Sequence, residues 1–290
     1  MLLLRTTIRV MAVGLLILSG CDRSARPEAD RSGPRLVSIS PAVTDLLVRM
    51  DLGSSLVGVS SYCRWPKGAP GRKPPVVGNV TGMNYEALLR VSPTVVLMQI
   101  DPQRIPQRLR DLARRENFSV LSIQLETLAD LERVTRELAT LCSRAAAAED
   151  LLARVSAGLD EVRRKVQGRP RPAVLFAIST NPTIIAGRGT FIDELIRTAG
   201  GRNVAARVGT GYIRVDKEAI LHLKPDVVIE ALACAPNPGI EHKATAYWSS
   251  LTTLPAVKTD RVHILFDPTM TIPGATVARS ARRLTQLIHP

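Results

Sequence analysis

One twelve-residue pattern occurs twice in this chain. Residues 86–97 read EALLRVSPTVVL and residues 218–229 read EAILHLKPDVVI. Glu, Ala, two aliphatics, a Pro and a Val-Val pair coincide at a constant offset. A long-period internal match marks a duplicated structural unit, so the chain has to fold as two versions of one motif. In each copy, aliphatics such as Leu88, Leu89 and Val91 supply the apolar side of a short helix. Pro93 or Pro225 cannot continue that helix and stops it. The β-branched run that follows (residues 95–98 and 227–229) is short and apolar throughout, which predicts a strand buried on both faces of a parallel sheet.

The flanking sequence continues the duplication. Residues 35–40 and 172–178 each read as an opening strand. The first leads through Pro41 to a helix over 44–50. The second leads through Asn181-Pro182 to another strand, then to a helix over 191–198 that stops at Gly200-Gly201. Residues 120–123 and 262–266 read as late strands. Strand–helix alternation twice over predicts an α/β protein with two lobes. Between them, residues 128–141 are amphipathic and residues 143–167 are strongly helix-forming. Ser143 marks the expected start of the second helix and Gly168-Arg169-Pro170 its stop. Such a helix spans ~37 Å, long enough to join two lobes stiffly. The expected division is an N-terminal lobe over 35–142, a connecting helix over 143–168 and a C-terminal lobe over 169–290.

The first 34 residues read differently. Arg5 and Arg9 precede a short apolar run, MAVGLLIL at 11–18. A transmembrane helix needs ~20 apolar residues, so 1–20 read as a secretory signal peptide. Leu18-Ser19-Gly20-Cys21 resembles the lipobox of bacterial lipoproteins, which makes Cys21 the expected site of lipidation. Residues 22–34 (DRSARPEADRSGP) cannot bury enough apolar surface to fold. They read, with Cys21, as a flexible tether over 21–34 between membrane and domain. No later apolar stretch approaches spanning length. The expectation is an exported, membrane-anchored lipoprotein on the periplasmic or outer face of the cytoplasmic membrane.

The formal net charge is +13, and Arg5 and Arg9 leave with the signal. The other basic residues are scattered and often neighbour acids, as at Glu132-Arg133 and Arg136-Glu137. No basic run is interleaved with aromatics, which argues against nucleic acid as a partner. An anionic ligand or an anionic membrane surface remains open. Cys63, Cys142 and Cys234 match no zinc spacing, and two of them are free to pair in an exported protein. The four His are scattered, and His242 points away from its neighbour Glu241. A metal-ion binder needs a His/Asp/Glu cluster, and none is legible. An exported enzyme needs a nucleophile and its base. There is no GxSxG, no HExxH and no paired carboxylates in a loop, and Gly187-Arg188-Gly189 is too short for a phosphate loop. No metal site and no catalytic residue is expected.

Four motifs carry a family resemblance: RLVSISPAVTDLL (35–47), VGVSSYCRWP (57–66), GMNYEALL (82–89) and KPDVVI (224–229). Over residues 35–290 the chain resembles the solute-binding proteins of ABC importers for vitamin B12, iron–siderophores and haem. It is most similar to the cobalamin-binding members, through S-S-Y followed by a Pro and through G-M-N-x-E. The resemblance implies two Rossmann-like three-layer lobes joined by one long helix, no enzymatic activity and no cofactor. It implies a transported chelate as ligand: a corrinoid, or alternatively haem or a ferric siderophore. The implied partner is an ABC permease dimer with its ATPase subunits. Glu86 and Glu218 fall where the family presents one acid per lobe to the permease, and a two-subunit partner suits a repeated acid. The ligand belongs in the interlobe cleft near strand ends. Ser40, Pro41, Ser61, Tyr62, Gly82 and Met83 fall in first-lobe loops of that cleft. Residues 181–188 and 267–273, with Arg188 and Asp267, form those of the second lobe. Tyr62 offers a flat apolar face and a hydroxyl; Asp267 offers an acceptor.

The chain also departs from the family. Val80, Gln99 and Ile184 stand where cobalamin binders carry aromatics, and Ala199 stands where the vitamin B12 binder has Cys. Cys63 and Cys234 match positions of Cys in some relatives, either facing one another across the cleft or serving as separate small core residues. A helical connector without a loop hinge implies small lobe motion.

Overall fold

The computed structural model describes residues 33–66, 69 and 71–290. The expected signal, the lipidation site at Cys21 and most of the tether lie outside the described residues. The chain enters through β1 (Leu36–Ser38) and turns at Ser40 into α1 (Pro41–Arg49). Ser40 Oγ accepts from the Val43 amide, and Pro41 takes the first helical turn, where its missing N–H costs nothing. The helix therefore begins ahead of the expected residue 44. Then come β2 (Leu56–Val59), α2 (Tyr85–Arg90), β3 (Val95–Met98), α3 (Gln107–Glu116) and β4 (Ser119–Ser122). The four strands form one parallel sheet in the order β2-β1-β3-β4.

α4 (Leu128–Leu141) opens with a capping box between Thr127 and Asp130. Its far end corrects the expected start of the connecting helix. Ser143 has φ 53°, and the Arg144 amide reaches back 2.8 Å to the Ala139 carbonyl. Ser143 thus terminates α4 as a left-handed cap rather than opening the next helix. α5 runs Ala145–Val166, 22 residues, or ~33 Å.

The second lobe follows as β5 (Ala173–Thr180), β6 (Thr183–Ala186), α6 (Phe191–Thr198), β7 (Arg202–Asn203), β8 (Tyr212–Arg214), α7 (Lys217–Leu223), β9 (Val227–Ala231), α8 (Pro238–Ser249), α9 (Pro255–Lys258), β10 (Val262–Leu265) and α10 (Val277–Ile288). Its sheet has the order β10-β9-β5-β6-β8, with β7 beside β5. β10, β9 and β5 are parallel; β6 and β8 join antiparallel. The architecture is the expected α/β fold with two lobes.

The duplicated segment matches in backbone detail. Asn84 and Asp216 cap α2 and α7 through their side chains. Ser92 and Lys224 both adopt positive φ, 43° and 46°, just before the proline. After the proline, Thr94 Oγ1 accepts from the Arg35 amide at 2.9 Å and Asp226 Oδ2 from the Ala173 amide at 2.8 Å. Each bond ties the repeated strand to the opening strand of its own lobe. The lobes diverge beyond that strand: β2 lies parallel to β1, whereas β6 turns back antiparallel on β5.

Packing follows the period of two along the repeated strands. Val95 and Leu97 enter an apolar core that also holds α4, α5 and α10 residues, while Val96 and Met98 enter an outer core with Leu88 and Leu109. Val227 and Ile229 join that same shared core, and Val228 packs outward with Ile220 and Trp248. Helices between the sheets thus serve both lobes. Three polar contacts stiffen the junction. The Phe191 amide donates to the Glu126 carbonyl (2.6 Å), the Leu128 amide to Glu194 Oε2 (2.7 Å) and the Ala275 amide to Asp45 Oδ2 (3.2 Å). Among the described residues no helix is long and apolar enough to cross a membrane.

One buried acid stands out on β9. Glu230 is 1% exposed and accepts from Trp248 Nε1 (2.7 Å) and Thr180 Oγ1 (3.2 Å). Burial raises its pKa above the ordinary 4.5, and the two hydrogen bonds only partly oppose that. The folded chain therefore holds this proton to higher pH than the unfolded chain. Its stabilising contribution is complete below 4.5 and is lost as pH rises through the raised value. Glu230→Gln keeps an acceptor for Trp248 and places a donor at Thr180, whose hydroxyl bonds either way. Urea denaturation at about pH 5 and about pH 8 should show a smaller loss of stability in Glu230→Gln than in the parent. Equal losses would remove Glu230 as the cause.

Candidate functional site

Strand ends of both sheets converge on one cleft. A cavity of about 240 Å³ is lined by Gln99, Leu125 and Glu126 from the ends of β3 and β4. Its other wall is Ile178 of β5, Tyr212 of β8, and Thr271 and Pro273 beyond β10. A second cavity, about 280 Å³, shares Gln99 and Glu126 and extends over Val80, Asp101, Arg104 and Gln124. Loops leave the sheet at strand ends, so side chains from distant segments meet there without disturbing the ladders.

Gln99 is held in place on both sides. Its Oε1 accepts from Ser40 Oγ at 2.8 Å and its Nε2 donates to the Leu125 carbonyl at 3.1 Å. Glu126 has a raised pKa, first from partial burial and then from the charge of Asp130. Tyr212 is shifted up as well, first by burial and then by the negative charge of Glu126 across the cleft. The phenol therefore stays protonated and remains a hydrogen-bond donor at any working pH. The cleft thus offers amides, hydroxyls, two acids (Asp101 and Glu126) and one arginine (Arg104), with apolar patches at Val80, Ile178 and Pro273.

None of the expected ligand residues lines either of the two cavities. Ser40 is buried; its hydroxyl caps α1 and orients Gln99. Pro41 is the first residue of α1. Ser61 is exposed, and its Oγ accepts from Asn79 Nδ2 at 3.4 Å. Tyr62 is 68% exposed. Gly82 closes a turn around Asn79 Oδ1, and Met83 bridges back to Gly78. Gly78 has φ 110°, and a Cβ there would fall 2.4 Å from the Gly82 carbonyl oxygen, so the turn needs glycine. Arg188 is exposed and its backbone pairs with Thr210, next to the strand of Tyr212. Asp267 caps the 3₁₀ turn after it, accepting from Thr269 N (2.9 Å) and Oγ1 (2.7 Å).

Glu126, Tyr212, Gln124 and Thr271 are lining residues that sequence reasoning missed as individuals. Thr271 falls in the expected 267–273 segment. Tyr212 carried one faint signal, a lone aromatic after Gly209-Thr210-Gly211 in an aromatic-poor chain. Glu126 carried none.

The repeated acids share one helical position and one degree of exposure. Glu86 and Glu218 sit in the first turns of α2 and α7, and both side chains are 84% exposed. Each has a basic neighbour one turn on: Arg90 at 2.9 Å and His222 at 3.9 Å. Cys63, Cys142 and Cys234 are free thiols. Cys63 is buried between the hydroxyls of Thr44 and Ser60, which marks it as a small core residue.

Comparison with known proteins places this geometry. The periplasmic binding protein family matches residues 36–267. A vitamin B12-binding protein of Salmonella choleraesuis (strain SC-B67) is 27% identical over 228 residues, covering 78% of this chain and 81% of that protein. An uncharacterized ABC transporter substrate-binding lipoprotein of Bacillus subtilis (strain 168), YvrC, is 22% identical over 261 residues, covering 88% of this chain and 80% of that protein. The crystal structure of the periplasmic haem-binding protein HutB of Vibrio cholerae superposes with a TM-score of 0.73 at 21% identity, covering 89% of this chain and 99% of that one.

Proposed function

The chain belongs to the periplasmic binding protein family, and on that premise we propose that it is the exported solute-binding subunit of an ABC importer, which captures a corrinoid in its interlobe cleft and delivers it to the permease. Proteins of this family bind solutes and are not enzymes, and the corrinoid is cargo rather than cofactor. The observation that carries the reading is the cavity built jointly by the ends of both sheets. Neutral groups of this cavity and its neighbour, Gln99, Gln124 and Thr271, suit a ligand rimmed with amides. The vitamin B12-binding relative points the same way.

Haem or a ferric siderophore is the second reading. Tyr62 favours it: a phenol this exposed is free to offer its oxygen to ferric iron.

Glu86 and Glu218 are, in this reading, the two contacts with a permease dimer that works with ATPase subunits. Their matched helical position and exposure support this. Cys21 carries the lipid that holds the protein at the membrane, with residues 21–34 as tether, 35–142 and 169–290 as lobes and 143–168 as connector. The name of the Bacillus subtilis relative supports the lipoprotein assignment.

Calorimetry and absorbance titrations of the mature protein with cyanocobalamin, cobinamide, haemin and a ferric hydroxamate test the cargo. Saturable binding of the two corrinoids at about 1 μM or tighter is expected. Binding of haemin or the siderophore alone establishes the second reading, and binding of none overturns both.

A further inference from the structure

A second concave surface, which shares no lining residue with the two cleft cavities, lies on α5 and α10. The helices meet at Gly158, where an added Cβ would lie 2.7 Å from Ala278 Cβ. That glycine lets the two backbones approach closely. Beside the crossing a groove of about 460 Å³ opens, with Leu151, Val155 and Ala278 in its wall. Besides Ala275 and Thr276, the wall holds four arginines: Arg49 of α1, Arg154 of α5, and Arg279 and Arg282 of α10.

These guanidinium groups are poorly compensated. Arg49 pairs with Asp45 at 2.8 Å and Arg282 with Glu161 at 3.2 Å. Both acids have other calls on them, since Asp45 also accepts from the Ala275 amide and Glu161 from Lys165. Among the described residues no carboxylate lies within ion-pair distance of Arg154 or Arg279. Arg279 donates to a neutral oxygen, Thr269 Oγ1 at 3.1 Å. α10 itself (VARSARRLTQLI) has no acidic residue. Like charges gathered on one concave surface repel, and an anion placed among them relieves the repulsion. Each guanidinium has five N–H donors in a planar fork, and most of those here are unused. Forked donors brought to one groove by three helices suit the tetrahedral oxygens of a phosphate group.

We propose that this groove is an anion site that takes a phosphate group, separate from the ligand cleft. The phosphate has two possible sources, the headgroup of an anionic phospholipid or a free phosphate-bearing solute. The assignment does not rest on the identity of the cleft ligand.

The test uses residues 22–290, which lack the acylated cysteine; all three apolar cores fall within the compact unit Pro34–Pro290. The parent is compared with the double variant Arg154→Ala/Arg279→Ala. Both substitutions fall at exposed positions on helices, where alanine is well tolerated, and circular dichroism checks the fold. One arm measures inorganic phosphate by calorimetry. The other measures co-sedimentation with phosphatidylcholine vesicles, with and without phosphatidylglycerol. The parent should bind in at least one arm, more weakly as salt rises. The variant should bind about tenfold more weakly or worse, as loss of two basic residues from an anionic contact requires. Binding to phosphatidylglycerol vesicles without phosphate binding identifies the lipid headgroup; phosphate binding identifies the free solute. No binding in either arm, or equal binding by parent and variant, overturns the proposal.

Discussion

Glu86→Ala combined with Glu218→Ala should abolish uptake in cells that depend on this importer, while the purified variant binds its ligand as the parent does. The two acids sit at equivalent positions of α2 and α7, fully presented to solvent, and neither lines the cleft. Each engages only a neighbour on its own helix, so truncation disturbs no core contact. Losing a charge that is buried and hydrogen-bonded in a complex costs ~2–5 kcal/mol. Two such losses weaken docking by at least about a thousandfold. Each single variant should lie between the parent and the double variant. Calorimetry on the purified double variant supplies the control. A collapse of ligand affinity there would place the acids in the binding site and end the docking assignment.

Trp248→Ala should produce the largest loss of stability of any single substitution considered for this chain. The indole is fully buried in the outer core of the second lobe, with Val228, Leu251 and Leu254 in the same cluster. Deleting such a side chain costs ~3–5 kcal/mol. Glu230 then also loses its shortest hydrogen bond. An unsatisfied buried acceptor adds ~1–3 kcal/mol. A loss of about 4 kcal/mol or more in urea denaturation is expected. Trp248→Phe helps separate the two causes, since it keeps an aromatic ring in the core and most of the packing while removing the donor. It should cost ~1–3 kcal/mol. A negligible cost for Trp248→Phe would show that the Glu230 hydrogen bond contributes nothing to stability.

Several features of the fold were legible in the amino-acid order because neighbours along the chain decide them. The apolar runs at 95–98 in β3 and 227–229 in β9 announce burial on both faces, and the sheets bury them so. Pro93 and Pro225 stop their helices, and the acids at 86 and 218 take the same helical position because the caps at Asn84 and Asp216 repeat with them. The start of α5 was misplaced for a reason equally local but hidden. Serine is a common first cap, yet the reversal between α4 and α5 puts Ser143 into the left-handed region and makes it the end of α4.

The cleft was legible only as a region. Ser40 pointed to the right loop, but its hydroxyl is used to cap α1 and to hold Gln99. The charge of Glu126 acts on Tyr212 across the cleft, although the two lie on different lobes in segments without a shared pattern. The arginine groove is similar, assembled from Arg49, Arg154, Arg279 and Arg282 on three helices.

The amino-acid sequence by itself thus determined the duplicated helix–proline–strand unit and the pair of acids it carries. Those depend on hydrogen bonds and side-chain periodicity within a few residues. Only the tertiary structure decided which groups line the cleft and which arginines share a groove. That follows from strand order and from how α5 and α10 pack between the sheets, and these contacts join residues far apart in the chain.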